Sequence, residues 1–342
     1  MAENIIIIGG GPCGLEAAKT LRDLGYAPII LEKKQELGGH LRKWDRLFPE
    51  GVQAKQVLKE LTSGLKGIEW HTSVDIETIE KSRKGYTVTL STGVSYNSPA
   101  LLLTNGFKLF PAEKKEEYGY GIYDKVITNA DLEQYFAKGK DNVIKKPKTI
   151  GFVHCVGSRD EKVGNRQCSK VCCATAVKQA CEMKELFPDA TIYSFYMDLR
   201  LFGRNYEDMY LTAQKKYGIR YIRGRVSEVS EDIDGSLIVK AEDTLLCKPL
   251  RLKIDLLVLM TGIVPENSSA SLAQQLNIEL GEDGFYKPKD TILEPCMAEN
   301  NGLFMAGACT GPKTIPETLS EARAAAVQIH NYLNKSWISG IL

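Results

Sequence analysis

Cysteine spacing carries the most chemical information in this sequence. Five of the nine cysteines lie within residues 155–181, in the order C-x12-C-x3-C-C with one more cysteine eight residues later. Four thiolates are the usual ligands of a [4Fe–4S] cluster or a structural zinc ion. Zinc ribbons usually show two close C-x2-C pairs, so this spacing favours iron–sulfur, and a set of buried structural thiols is the alternative. The candidate metal ligands are Cys155, Cys168, Cys172 and Cys173.

The spacing also constrains the backbone that presents these thiols. Cys168 and Cys172 would share one helix face, whereas Cys173 would lie about 100° around it. All three can therefore ligate one centre only at a helix start, which Ser169 could cap, and Cys155 can add a fourth ligand from a strand end. The helix N-terminus, with Arg166 and Lys170 nearby, would lower the thiol pKa values, and His154 could tune the site as a neighbour. The other cysteines are assigned by default to the buried core: Cys13, Cys181, Cys247, Cys296 and Cys309.

A glycine-rich turn near the N-terminus is the second chemical feature. Residues 9–14, GGGPCG, fit G-x-G-x-x-G, follow a buried-strand pattern at 5–8 and open a helical pattern at 15–24. In that context Gly9 permits a tight turn, Gly11 lets the backbone approach a pyrophosphate and Gly14 lets the helix pack on the strand. Glu32 closes the next strand and is expected to accept hydrogen bonds from an adenosine ribose. The turn therefore predicts a dinucleotide site.

Two similar α/β halves must position these residues. Buried strands are expected at 27–31, 100–104, 149–153, 191–195, 255–260 and 303–306, helices at 54–66, 169–186, 206–217 and 316–333, and antiparallel strands within 219–254. We predict the α/β class with two Rossmann-like domains, the second inserted into the first. Residues 1–125 and 260–342 would form the first domain, and residues 126–259 the second, which carries the cysteines.

Two further motifs link the glycine turn to a known flavoprotein group. Glu36-Leu37-Gly38-Gly39 follows the acid, and residues 302–308, GLFMAGA, precede the last helix. Together they resemble the two-dinucleotide-binding-domain flavoproteins, the thioredoxin reductase-like group. The resemblance implies FAD, with the glycine doublet near the flavin and the last helix aimed at an isoalloxazine carbonyl. The cofactor-binding residues expected are Gly9, Gly11, Pro12, Cys13, Gly14, Glu32, Lys33, Gly38, Gly39, His40, Leu41, Val74, Asn105, Gly106, Gly307, Ala308, Thr314 and Ile315.

The sequence also departs from that group. Ala308 stands where the group has an Asp that binds a ribityl hydroxyl. The strand at 149–153 stands where the group's inserted NAD(P)H-binding domain has its own G-x-G-x-x-G motif. It is followed by His154-Cys155-Val156-Gly157, which has one glycine where that motif has three. We therefore expect that NAD(P)H does not bind there in the usual way. No C-x-x-C occurs in the sequence, so thioredoxin reductase activity is not expected.

The cysteine region narrows the resemblance. Residues 152–160, FVHCVGSRD, and 168–173, CSKVCC, with 117–121, EYGYG, and 311–316, GPKTIP, are similar to the A subunit of heterodisulfide reductase. The resemblance implies that Cys155, Cys168, Cys172 and Cys173 hold a [4Fe–4S] cluster beside FAD. The C-x2-C-x2-C-x3-C modules of the methanogen type are absent from this sequence, which puts electron bifurcation in doubt.

The length suits the compact form of this subunit in the sulfur-oxidising heterodisulfide reductase-like complex. Such a complex oxidises protein-bound sulfane sulfur, so the expected partners are iron–sulfur subunits, a lipoate-binding or other sulfur-carrier protein, and a second copy of the chain. Three alternatives stay open: the A subunit of the quinone-interacting membrane-bound oxidoreductase, an NAD(P)H-dependent flavin reductase with structural thiols, and a flavin-bearing scaffold that holds zinc.

Composition excludes some function classes. Lys and Arg number 44 against 43 Asp and Glu, which argues against nucleic acid as the main partner. No apolar run reaches the ~18 residues of a membrane span. The N-terminal residues lack the basic start of a secretory signal, and nine cysteines in such a chain favour metal or redox chemistry over a disulfide framework. We expect a cytoplasmic protein.

Overall fold

A computed structural model describes residues 2–138, 144 and 146–339. The chain divides into two compact units, Met1–Arg42 with Lys55–Lys108 and Val264–Leu342, and Lys43–Ala54 with Leu109–Ile263. The second unit therefore interrupts the chain of the first. The sequence does not predict that residues 43–54 pack with the second unit, and the domain limits given above stay predictions.

Five of the α-helices in the described residues overlap predicted helices, whereas α3 and α6 were not predicted. The α-helices are α1 (Pro12–Asp23), α2 (Ala54–Ser63), α3 (Asn129–Lys138), α4 (Cys172–Leu186), α5 (Tyr206–Lys215), α6 (Ser268–Leu276) and α7 (Ile315–Ser339). Short 3-10 helices span Gly39–Lys43, Ala112–Lys114, Glu116–Tyr118, Glu161–Val163 and Gly307–Thr310. Within the described ranges, no helix combines the length and apolarity needed to cross a membrane.

Twenty strands are assigned in the part of the chain that the structure describes. They are β1 (Asn4–Ile8), β2 (Ala27–Leu31), β3 (Arg46–Leu47), β4 (Val52–Gln53), β5 (Glu69–His71), β6 (Ile76–Ser82), β7 (Gly85–Leu90), β8 (Ser95–Ser98), β9 (Leu101–Leu103), β10 (Phe107–Leu109), β11 (Val126–Thr128), β12 (Thr149–Val156), β13 (Thr191–Tyr196), β14 (Arg220–Arg223), β15 (Val226–Glu231), β16 (Leu237–Asp243), β17 (Lys248–Ile254), β18 (Leu256–Thr261), β19 (Ile263–Pro265) and β20 (Leu303–Met305).

The first unit is built on a parallel sheet in the order β20-β9-β1-β2-β5. Ile5, Ile6 and Ile7 of β1 are fully buried, as expected for a central strand that is covered on both faces. Helices α1 and α7 contact each other, and β6, β7 and β8 form a separate antiparallel sheet. Since parallel strands end at one edge of a sheet, the ends of β1 and β9 bring Gly9 next to Asn105.

The second unit has its own parallel sheet, in the order β11-β18-β12-β13-β14. Buried apolar side chains from these strands and from α4 form its core. An antiparallel sheet of β15, β16 and β17 belongs to the same unit. The pairing of β12 with β18 shifts between Val153 and Val156, so the strand is irregular where it carries Cys155.

Three predicted elements differ from those observed. Residues 220–223 pair with β13 in the parallel sheet instead of running antiparallel. Helix α4 starts at Cys172, not Ser169, because the Ser169 hydroxyl accepts the Ile263 N–H at 2.8 Å and does not cap the helix. Helix α7 starts one residue before Pro316 because Thr314 caps it.

Candidate functional site

The glycine turn lies at the carboxyl end of β1, where α1 begins. A Cβ on Gly9 would come within 2.4 Å of the Thr104 carbonyl oxygen, and one on Gly14 within 2.0 Å of the Gly9 oxygen, so the fold itself requires both glycines. A Cβ on Gly11 would meet no atom within 4 Å. Because internal packing does not require glycine at Gly11, the open space suits the close approach of a phosphate. Pro12 and Cys13 open α1, whose first N–H groups have no partner within the helix.

Glu32 is fixed by the same turn. Its carboxylate oxygens accept the Gly10 N–H at 2.6 Å and the Lys34 N–H at 2.8 Å, and the residue is buried. Each carboxylate oxygen has more than one acceptor site, so a ribose hydroxyl can still donate to it. The Val74 N–H donates to the Glu32 carbonyl at 3.2 Å, whereas the Lys33 side chain is exposed and lies 3.5 Å from Asp75. Glu32 and Val74 thus lie together, and Lys33 can contribute only its backbone.

The glycine doublet packs against the turn. The Gly38 N–H donates to the Gly10 carbonyl at 2.7 Å, and a Cβ on Gly39 would lie 3.3 Å from Gly11 Cα. Both residues have positive φ, +112° and +55°, which favours glycine.

The two residues after the doublet are held by other contacts. The His40 ring stacks on Phe107 with centroids 4.4 Å apart, and its Nε2 lies 2.9 Å from the Phe107 carbonyl oxygen. Leu41 is buried in the core. His40 is therefore oriented by its contacts with Phe107, and Leu41 serves packing.

The turn at Gly307–Thr310 is held by Glu321, a residue that sequence analysis did not identify. The Gly307 N–H donates at 2.6 Å to the Glu321 carboxylate, which lies 3.4 Å from the Lys313 ammonium. Ala308 is buried beside it. No motif singles out Glu321, because its position depends on how α7 packs on the 307–310 turn.

Two remaining expected contacts lie at strand and helix ends. The Asn105 amide donates to the Ser269 hydroxyl at 3.0 Å, and Gly106 has a φ of +75° with open space at its Cβ position. The Thr314 hydroxyl and N–H both donate to the Glu317 carboxylate at 2.9 Å, which is a capping box. This box fixes the start of α7 at Ile315.

Three of the four candidate ligands meet at the start of α4. The Cys172 thiol is hydrogen-bonded to Cys155 and to Cys173. Cys155 has a φ of +58°, in the left-handed region, because it lies in the irregular part of β12. Cys168 lies outside the helix, where its sulfur accepts the Lys170 N–H at 3.3 Å. The irregular helix start expected for this ligand set is therefore observed.

The electrostatics favour thiolates at two of these positions. Hydrogen bonding by Cys172 lowers the pKa of Cys155 to about 7 and that of Cys173 to about 4, against the effect of burial. Hydrogen bonds to these two neighbours, followed by burial, raise the pKa of Cys172 itself. His154 contributes to the lowered Cys173 pKa, and its Nε2 lies 2.8 Å from the Ser194 hydroxyl. Thiolates are the species that ligate metals.

The other cysteines behave differently. Burial raises the pKa values of Cys181, Cys296 and Cys309 to about 12 and also raises that of Cys13, as expected of structural thiols. Cys247 is exposed in the turn between β16 and β17, so its assignment to the core was wrong.

The number and chemistry of the donors at the cysteine site suit a cluster. Among the described residues, no group of three or more His, Cys, Asp or Glu is arranged to hold a metal ion. Cys172 is hydrogen-bonded to both Cys155 and Cys173, so these thiols lie closer together than the ligands of a four-iron cluster and would have to separate to hold one. The set still supplies four cysteines, two of them with lowered pKa, from a strand end, a loop and a helix N-terminus.

Comparison with known proteins places the chain among oxidoreductases. Residues 1–134 match the family model described as pyridine nucleotide-disulphide oxidoreductase. The A subunit of the H(2):CoB-CoM heterodisulfide,ferredoxin reductase of Methanothermobacter marburgensis is 39% identical, covering 95% of this chain and 63% of that protein. An iron–sulfur A subunit of the CoB–CoM heterodisulfide reductase of Methanopyrus kandleri is 32% identical, covering 94% and 63%. Over most of its length, this chain is similar to A subunits of heterodisulfide reductase.

The fold comparison agrees with this relationship. Thioredoxin reductase of Lactococcus lactis superposes with a TM-score of 0.69 at 17% identity, and the superposition covers 97% of this chain and 99% of that one. The predicted fold class and the assignment to the oxidoreductases are therefore confirmed, and the family supports FAD as the dinucleotide. The chain spans less than two thirds of the length of the two heterodisulfide reductase subunits named above.

Proposed function

We propose that this chain is an FAD- and [4Fe–4S]-containing electron-transfer subunit of a heterodisulfide reductase-like complex. The observation that carries the proposal is the set of cysteine thiols at the start of α4, where Cys155 and Cys173 have lowered pKa values. The chain that carries them is related to iron–sulfur subunits. Ordinary structural thiols in this protein have raised pKa values instead.

The first unit would bind FAD. Gly11 and the start of α1 would receive the pyrophosphate, and Glu32 would accept the ribose hydroxyls. Gly38, Gly39 and the 105–106 turn would border the flavin. Because Glu321 already accepts the Gly307 N–H and Ala308 replaces the usual acid, the ribityl chain would depend on backbone contacts in this region.

The second unit would hold the cluster through Cys155, Cys168, Cys172 and Cys173. FAD exchanges electrons in pairs or singly and the cluster exchanges them singly, so together they link two-electron and one-electron chemistry. The chain orients the ligands through the irregular end of β12 and the first turn of α4. The Lys170 N–H donates a hydrogen bond that would stabilise negative charge on the Cys168 sulfur, and the nearby His154 helps lower the pKa of Cys173.

The biological setting belongs to the same proposal. We assign the chain to cytoplasmic oxidation of protein-bound sulfane sulfur, with iron–sulfur subunits, a lipoate-binding or other carrier protein and a second copy of the chain as partners. The nine unpaired cysteines suit a reducing compartment.

The test is metal and flavin content of protein purified without oxygen, together with its visible spectrum. We expect about four irons and one FAD per chain. Cys172→Ala should lose the iron and keep FAD, whereas Cys181→Ala, on the same helix, should keep both. Zinc in the unaltered protein would instead indicate the flavin-bearing scaffold, and no metal, or rapid flavin bleaching by NADH without iron, would assign the chain to the flavin reductases.

A further inference from the structure

The loop that follows Cys155 folds back on itself before it reaches Cys168. The Ser158 N–H donates to the Cys155 carbonyl at 3.4 Å, which closes a four-residue turn. The Arg159 N–H then donates at 3.0 Å to the carbonyl of Gln167, the residue before Cys168. The backbone of Ser158 is therefore held next to two of the four candidate ligands.

Contacts at Gly262 show where the Ser158 side chain lies. A Cβ on Gly262 would lie 2.9 Å from the Ser158 Cβ and 2.7 Å from the Ser169 hydroxyl oxygen. Ser169 directly follows Cys168, and its hydroxyl accepts the Ile263 N–H at 2.8 Å. The Ser158 side chain therefore lies beside the segment that carries the second ligand.

The Ser158 hydroxyl is a buried polar group that has no hydrogen-bond partner among the described residues. Only 2% of the residue is exposed. Most buried polar atoms of side chains have a partner, so an orphan hydroxyl between two ligand segments indicates that a specific acceptor belongs there.

The backbone oxygens of the same turn already accept other donors. The Cys155 carbonyl accepts the Ser158 N–H, and the Gly157 carbonyl accepts the Asn165 side-chain amide at 3.0 Å. The further acceptors that the two ligand segments bring here are sulfur atoms: those of Cys155 and Cys168, and the sulfides of a cluster that they would hold. A serine hydroxyl can rotate to donate to any of these sulfurs.

We propose that the Ser158 hydroxyl donates a hydrogen bond to a sulfur of the [4Fe–4S] site and raises the midpoint potential of the cluster. The proposal rests on the proposed function of the cysteine site. The cluster and its ligands gain one negative charge on reduction, so a hydrogen bond to their sulfurs stabilises the reduced form more than the oxidised form. Ser158 thereby makes the site a better acceptor of single electrons without being one of its ligands.

The test is a redox titration of the full chain, purified without oxygen, in which electron paramagnetic resonance follows the reduced cluster. Ser158→Ala should lower the midpoint potential by about 59 mV, which is a tenfold change in a one-electron equilibrium. Ser158→Thr keeps a hydroxyl and should stay near the potential of the unaltered protein. Ser236→Ala is the control, because it removes a buried hydroxyl of the second unit that already donates to Asp234 at 2.6 Å. This control should leave the potential unchanged.

A second measurement detects the hydrogen bond itself. In D₂O, electron–nuclear double resonance of the reduced cluster should show an exchangeable deuteron that is lost in Ser158→Ala. The same signal should remain in Ser158→Thr and Ser236→Ala. If Ser158→Ala holds its full iron and changes neither the potential nor the deuteron signal, the inference is overturned and the proposed function stands.

Iron and FAD content are measured on each preparation. If Ser158→Ala loses its iron, Ser158→Thr decides: retained iron at an unchanged potential supports the hydroxyl donor. Loss of iron in both variants would show that the position serves packing and would overturn the inference. FAD without iron in the unaltered protein would reject the proposed function, and with it the cluster that this hydroxyl serves.

Discussion

At the residue scale, Glu32 has a structural role in the turn and an expected role in binding the ribose. Its carboxylate accepts two backbone N–H groups that shape the dinucleotide turn, and it is the expected acceptor for the ribose. Glu32→Ala should leave the buried Gly10 N–H and the part-buried Lys34 N–H without their acceptor and destabilise the first unit by about 1–3 kcal/mol. Urea unfolding and the FAD retained after gel filtration would both report the loss. Asp75→Asn, which alters only an exposed ion pair, should change neither, and full FAD retention in Glu32→Ala would refute the ribose role.

Glu182 provides a pH-dependent prediction in the second unit. Burial raises its pKa from 4.5 to about 7, with Lys178 3.4 Å away as partial compensation. Between those pH values the folded state binds a proton that the unfolded state has lost, so stability falls as pH rises from about 4.5 to 7. Glu182→Gln should therefore stabilise the protein by about 1–3 kcal/mol at pH 8 and have little effect at pH 4. Denaturation at both pH values checks this, Glu207→Gln serves as the exposed control, and an equal effect at both would contradict it.

At the element scale, the loop between Cys155 and Cys168 is held by a buried ion network. Asp160 lies 2.8 Å from both Lys115 and Arg225, and its backbone pairs with Asn165. Asp160→Asn removes one of the two carboxylates that compensate Lys115, the other being Glu117 at 2.6 Å, and should cost about 2 kcal/mol. We expect iron per chain to fall with it, because the loop that carries Cys168 loosens.

The control for this loop lies within it. Glu161→Gln alters only an exposed pair with Arg166 and should preserve both stability and iron. The double variant Lys115→Met/Asp160→Leu removes both buried charges and should recover part of the lost stability. If Asp160→Asn unfolds like Glu161→Gln, the network does not hold the loop.

The elements that sequence analysis predicted are those set by local spacing. Strand and glycine patterns predicted β1, α1 and the dinucleotide turn for this reason. The irregular helix start also followed from spacing, since Cys168, Cys172 and Cys173 cannot share one face of a regular helix. Glu321 and the Ser169 hydrogen bond to Ile263 depend on contacts between residues distant in sequence, which spacing does not encode. Residues 220–223 were misassigned because short alternating runs look alike in parallel and antiparallel sheets.

At the scale of the whole molecule, each unit has its own sheet and buried core, so the two cofactor sites should stabilise different parts of the chain. A ligand present at about a hundred times its dissociation constant adds about 2.7 kcal/mol to the structure that binds it. Hydrogen–deuterium exchange should then slow about a hundredfold, but only at amides that exchange through unfolding of the unit that binds the ligand.

We therefore expect FAD removal to speed exchange in β1, α1 and the start of α7 while α4 stays protected. Cys172→Ala should do the reverse, because its thiol lies at the first turn of α4 and the first unit has its own core. Cys181→Ala controls for loss of a buried thiol on that helix. Equal acceleration of exchange in both units after either change would show that they unfold as one cooperative body. Loss of either cofactor would then lower the free energy of unfolding of the whole chain.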